Sequence, residues 1–149
     1  ISGLAHARAG VAMLAHSRIG TPAYLQGVAP GVGFRDCARV AQTRQHRCQA
    51  GRCYKGVLVV DEFSPLDPDS GHQLKYYAPH VGGIEVGAVG GSNPEVLRLT
   101  GQTMLSRAAL AQVDRQVLAQ DRRGYRVSPH VYGRTPPAKL SPRRYHSPR

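Results

Sequence analysis

The apolar and polar positions of this chain change period twice. In RDCARVAQTRQHRC, residues 35 to 48, they roughly alternate, as in a strand with one exposed face. CYKGVLVVDEF, residues 53 to 63, is richer in β-branched and aromatic residues, and Val57 to Val60 are continuous. An unbroken apolar run marks a central strand with both faces covered. The Gly-containing link Gln49-Ala50-Gly51-Arg52 between the two runs is a hairpin signal. SPLDPDSG, 64 to 71, is a turn in which aspartate and serine are expected to bond to backbone. Strand character resumes at His72 to Ala78, restarts at Ile84 to Val86 and closes at Glu95 to Leu99. Five strands with short links predict an antiparallel meander or open curved sheet.

After Gly101 the period becomes helical. Ser106 is a candidate cap. Leu110, Val113, Val117 and Leu118 form one apolar stripe, expected to lie on the sheet or on a partner subunit. Gly124 is the expected stop, with Arg122 and Arg123 in the last turn. The expected organisation is a weakly structured segment over 1–23, a β domain over 24–100, an amphipathic helix over 105–123, and a Pro- and Arg-rich tail over 124–149. That tail is expected to be extended or disordered, with its first part strapped across the body.

One pentapeptide pattern occurs twice. Ala-Pro-x-Val-Gly occurs at 29–33, downstream of Tyr24, and again at 78–82, directly after Tyr76-Tyr77. Proline has no amide hydrogen for a ladder, and glycine reaches φ values closed to other residues. The second copy is therefore read as a corner formed by Tyr76, Tyr77, Pro79, Gly82 and Gly83, and the first as either a matching corner or a chance echo, since Ala, Pro, Val and Gly are all common here. Packing is the expected role of the tyrosine pair; stacking on a base or sugar is the alternative.

Charge adds a second division. The chain of 149 residues carries +11, of which residues 1–121 contribute +3 and residues 122–149 contribute +8. The basic balance thus describes the tail and does not make the body a nucleic-acid binder. No run approaches the roughly 18 apolar residues of a membrane span. The start, ISGLAHARAGVAMLAH, lacks the order of an intact signal peptide, so residue 1 is read as a processed start or the cut end of a longer chain.

Cysteine supplies the best-spaced chemistry. Cys48 and Cys53 flank the hairpin link and are a disulfide candidate if the chain is exported; the alternative is two ordinary thiols. Three cysteines without an x2 pair make no recognised zinc pattern. Cys37 is weighed as a nucleophile, although nothing near it in sequence supplies a base. His72 and His80, with Asp67 or Asp69, are weighed as metal ligands, but the expectation is no metal and no cofactor. Asp61 and Glu62 are adjacent in a strand and should point to opposite faces, so they cannot share a site. GVGFRD and GGSNPE lack the features of a phosphate loop.

FRDCARV, VLVVDEFSPLDPDSGHQLKYYAPHVG and NPEVLRL resemble a widespread group of uncharacterised bacterial proteins, many of them exported. Their shared run reads approximately V-L-V, an acid, P-L-(D/E)-P, then K-Y-Y-A-P-G-V-G. GVAM at 10–13 and YLQGVAPGV at 24–32 are similar to that group's upstream segment, so the likeness spans about residues 10–99. This chain carries His80 where the group's usual residue is glycine, and departs again at Gly82-Gly83-Ile84. The resemblance brings no established catalytic residues. It implies an antiparallel β domain, by analogy an open half barrel of the lipoprotein-carrier kind.

Three functions are weighed. The first is a non-enzymatic, exported (periplasmic or extracellular) domain that binds an apolar small molecule or an envelope component on its concave face; a cytoplasmic location stays open. The second is nucleic-acid or anionic-surface binding through Arg122, Arg123, Arg126, Arg134, Lys139, Arg143 and Arg144, with Tyr125, Tyr132 and Tyr145 interleaved. The third is a hydrolase using Cys37 or a His–Asp pair.

Overall fold

The computed structural model describes residues 6–92, 94–133 and 135–140. They fall into two compact units divided between Gln102 and Thr103.

The first unit is one open sheet of seven antiparallel strands whose spatial order follows the chain. The strands are β1 (Arg8–Ala9), β2 (Tyr24–Ala29), β3 (Phe34–Gln49), β4 (Arg52–Phe63), β5 (His72–Ala78), β6 (Gly82–Val89) and β7 (Leu97–Arg98). The expected central strand is β4, paired with β3 on one side and β5 on the other. Val57 and Val59 are 0% exposed, which is why its apolar run does not alternate. Two strands exceed the five predicted. β2 has too little alternation to announce itself. β1 belongs to the segment expected to be weakly structured, yet it pairs with β2, and Gly10 and Val11 extend the contact by donating to Gln26 and Leu25 carbonyls. The last strand is shorter than predicted, two residues where Glu95–Leu99 was expected.

The β3–β4 hairpin outruns its neighbour, because β5 pairs only with Leu58 to Phe63. Approaching and passing that point the β3–β4 ladder is interrupted three times, between Val40 and Gln42, Gln42 and Gln45, and Gln45 and His46. Arg44 sits at φ 56° in the same stretch. Bulges bend and overtwist a ribbon. The bent arm brings Arg47 and Gln49 onto Glu85 of β6, and Tyr54 onto a core of Val57, Ala78 and Ile84.

Both copies of Ala-Pro-x-Val-Gly are hairpin loops. Ala29 is the last residue of β2 and pairs with Phe34; Ala78 is the last of β5 and pairs with Gly82. Both alanines are buried. Each proline then ends the ladder, and Gly33 and Gly82 take positive φ, 63° and 98°. His80 adopts φ 61°, so the corner keeps its left-handed residue without a glycine there. The turn 64–71 differs in detail from expectation. Its bonds are backbone amides and the Ser70 hydroxyl donating to carbonyls, and the Asp67 side chain makes no capping bond.

The second unit is built on α1 (Arg107–Val127), followed by a short α2 (Pro129–Tyr132). Ser106 caps α1, its hydroxyl accepting from the Ala109 amide at 3.2 Å. The helix does not stop at Gly124. It continues to Val127, and Pro129 ends it. Gly124 is instead a close-approach residue: a Cβ there would lie 2.8 Å from the Tyr132 ring. The start of the tail is accordingly not extended. It folds back on α1, with the Tyr125 hydroxyl donating to the Thr135 carbonyl and the Ala138 amide donating to Asp121. Leu110, Val113 and Val117 of the apolar stripe are exposed.

Candidate ligand-binding face

Register places Val40, Val60, Lys75, Val86 and Leu97 side by side in one row across five strands. The lysine is the one charged member of an apolar row. Its charge is met from the next row by Glu62, which pairs with its ammonium group. Glu62 also accepts a hydrogen bond from Gln26 Nε2 at 3.0 Å, and its side chain is only 5% exposed. Burying a carboxylate is costly unless it is paired and hydrogen-bonded, and both conditions hold. Burial is the largest single influence on the Lys75 ammonium and works against it, but the Glu62 hydrogen bond together with the charges of Glu62, Tyr77 and Asp36 leaves the lysine's pKa raised.

Neighbouring groups register the same field. Burial, then the Glu62 charge, raises the pKa values of Tyr24 and Tyr77. Asp36 is raised for the same two reasons, with Lys75 offsetting part of the effect. The Tyr24 hydroxyl is buried and has no hydrogen-bond partner among the described residues.

Tyr77 stands opposite Leu58 and two residues along β5 from Lys75, so it shares their face. Tyr77 lines two grooves. One, of about 260 Å³, is formed with Ile84, Val86, Leu97 and Leu99 and also takes in the charged residues Lys75, Glu85 and Arg98; the other, of about 410 Å³, is formed with Met13, Leu58, Pro79 and Val81. Tyr76 points the other way. It packs on the Val57–Ala78–Ile84 core and lies under the Arg47 guanidinium at 4.5 Å. The tyrosine pair thus splits into one core residue and one groove wall.

The opposite face carries Asp61, in accord with its adjacency to Glu62. Arg39 donates to Asp61 through Nε at 2.9 Å, and His72 Nδ1 lies 2.9 Å from the same carboxylate. Phe63 stacks on His72. The hydrolase reading offers Cys37 or a His–Asp pair; His72 and Asp61 form a pair of that kind, and Cys37 stands apart from it. Cys37 is buried and sits in register with Phe63, which in turn faces His72. Two strand spacings, about 10 Å, and a phenyl ring separate the thiol from the imidazole. His72 opens β5 and His80 lies in the loop beyond its other end, too far away to share an ion.

Cys48 and Cys53 are directly opposed in the β3–β4 ladder and joined, with S–S 2.01 Å. Ala50 and Gly51 close the hairpin tip, both at positive φ. Of the tail cations, Arg122, Arg123, Arg126 and Lys139 are exposed. Arg134, Arg143, Arg144 and Tyr145 lie outside the described residues. Tyr125 and Tyr132 pack on each other at 5.5 Å, so two of the three interleaved tyrosines already have a structural task.

Sequence reasoning missed the Glu62–Lys75–Gln26 group and the Arg47–Glu85 pair. The available signal was Asp61-Glu62 at the end of an apolar run, since buried acids demand partners. Comparison with known proteins finds no matching family model, no matching curated protein and no matching solved structure.

Proposed function

We propose that this protein is a non-enzymatic binding domain that takes an apolar, acyl-chain-type ligand on the sheet face around Tyr77. The observation that carries the reading is the pair of mostly apolar grooves that both include Tyr77 in their walls. Binding sites are concave and mostly apolar, with few polar groups that fix orientation. Lys75 is such a group, and a ligand carboxylate would compete with Glu62 for it. The Cys48–Cys53 bond supports an exported protein, because oxidising compartments preserve disulfides. No helix among the described residues is long and apolar enough to cross a membrane.

The test is thermal and chemical stabilisation by a panel of saturated acyl carboxylates of increasing length. A ligand at one hundred times its Kd should add about 2.7 kcal/mol. Leu97 is exposed, so Leu97→Glu should fold normally and lose the effect. A panel that stabilises neither protein sinks the reading.

A second reading is anionic-surface or nucleic-acid binding by Arg122, Arg123 and Arg126, which are exposed together near the end of α1. Such binding should fall steeply with salt as counterions are released. Replacing the three arginines with glutamine should remove it, and retained affinity would exclude this reading.

A further inference from the structure

We propose that the tip of the β3–β4 hairpin is a redox-gated metal site, in which His46, Cys48 and Cys53 bind one zinc ion once the disulfide is reduced. His46 and Cys48 are two residues apart on β3 and so share a face, and Cys53 stands directly across from Cys48. One ligand atom from each of the three lies within 4.8 Å of the others. All three residues are exposed, so a reductant and an ion can both reach them.

The geometry needs little rearrangement. Zinc bonds of about 2.3 Å to sulfur and about 2.0 Å to nitrogen place tetrahedral donors roughly 3.3–3.8 Å apart. The Cys48 and Cys53 Cα atoms are 4.0 Å apart, so side-chain rotation can open the sulfurs to that spacing while the strands stay paired. The tight turn at Ala50 and Gly51 holds the ligands on one short hairpin. Two thiolates and an imidazole form a soft donor set that suits zinc and disfavours calcium or magnesium. Three protein ligands leave a fourth position for water. Cys37 cannot contribute, because it is buried far down β3.

The chemistry balances in two steps. A dithiol reductant gives two electrons and two protons to the Cys48–Cys53 bond, yielding two thiols, and itself closes to a disulfide. Zinc then displaces both thiol protons into solvent, while neutral His46 supplies a lone pair. Disulfide and metal exclude one another, since the oxidised pair offers no thiolate. This site is separate from the Tyr77 face and does not rest on the ligand reading.

The test uses the full chain, oxidised or reduced with a dithiol and desalted anaerobically. Each form is titrated with zinc against a chromophoric chelator. The reduced protein should take one zinc per chain and release two protons in weak buffer; the oxidised protein should take none. Cobalt in place of zinc should give a thiolate charge-transfer band. His46→Ala, at an exposed position, should weaken binding by at least about 10-fold. The Cys48→Ala/Cys53→Ala double variant should not bind, and far-UV circular dichroism checks that each form keeps its sheet. Equal zinc affinity of the reduced and oxidised forms, or of wild type and His46→Ala, overturns the proposal, as does binding by the double variant.

Discussion

Arg47 and Glu85 meet through two parallel hydrogen bonds: Arg47 Nε donates to Oε2 at 2.6 Å and Nη2 donates to Oε1 at 2.7 Å. One residue is near the tip of the bent hairpin and the other is on β6, so the contact fastens the arm to the sheet. Glu85 is nearly buried, with Gln49 its other partner. Arg47→Ala leaves that carboxylate short of donors and removes the cation from the Tyr76 ring. Breaking a fully buried pair costs about 3–5 kcal/mol. Because the Arg47 side chain is 42% exposed, the expected loss is smaller, about 2 kcal/mol, measured by urea denaturation. An unchanged midpoint would mean the arm is held by its apolar contacts alone.

Two carboxylates should give opposite pH signatures. The bond from Arg47 holds the Glu85 pKa below its ordinary value. Its stabilisation is therefore present above the unfolded pKa, about 4.3, and is lost as pH falls through the lower folded value. Asp36 is raised by burial, so its ionised form costs stability above its folded pKa, and that cost disappears in acid. Glu85→Gln should lower stability at pH 7 and converge on wild type at low pH. Asp36→Asn should raise stability at pH 7 and match wild type at pH 3. Parallel curves for either variant would contradict these assignments.

His80 holds a left-handed backbone, at φ 61°, in the β5–β6 loop. This conformation costs an L-residue roughly 1–2 kcal/mol that glycine does not incur. Glycine also loses more chain entropy on folding, which offsets part of the gain. His80→Gly should stabilise the sheet by about 0.5–1 kcal/mol in denaturant titration. A loss would show that the imidazole makes a compensating contact.

What could be read from sequence follows from range. The central strand, its hairpin and the disulfide partners were legible because periodicity and turn residues act over a few positions. The helix cap at Ser106 was legible for the same reason. The bend of the β3–β4 arm was not, because a bulge at Gln42 to His46 leaves no mark in an alternation that stays plausible either way. Nothing in the local pattern sets Arg47 apart, and its partner lies 38 residues on. Lys75 was hidden similarly: only the register across five strands shows it alone in an apolar row. The stop at Gly124 was misread because glycine at a helix end and glycine under a ring carry the same letter.

The Cys48–Cys53 bond closes a short loop, which limits its leverage on the unfolded chain. The loop-entropy relation gives about 2 kcal/mol for so small a ring. Cys48→Ser/Cys53→Ser should lower stability by no more than that, with the ladder and Arg47–Glu85 still holding the tip. Intact mass should rise by 2 Da on reduction of the wild type. A mass that does not change would remove the disulfide and, with it, the support for an oxidising compartment.

Gly124 gives the sharpest test of the second unit. In an exposed helix interior, glycine to alanine normally gains about 1 kcal/mol, since alanine loses less chain entropy. Here the new methyl group would enter the Tyr132 ring, 2.8 Å away, and the ring has to leave. Gly124→Ala should therefore lose the Tyr125–Tyr132 packing and release the folded-back segment. The near-UV tyrosine signal should fall and amide exchange at Ser128 and Gly133 should quicken. In a Tyr132→Ala background the obstacle is gone, and the same substitution should restore the ordinary gain in α1 helicity. Opposite signs in the two backgrounds establish that Tyr132 keeps this glycine in place. Equal helix gain in both would show that α2 does not pack on α1 in solution.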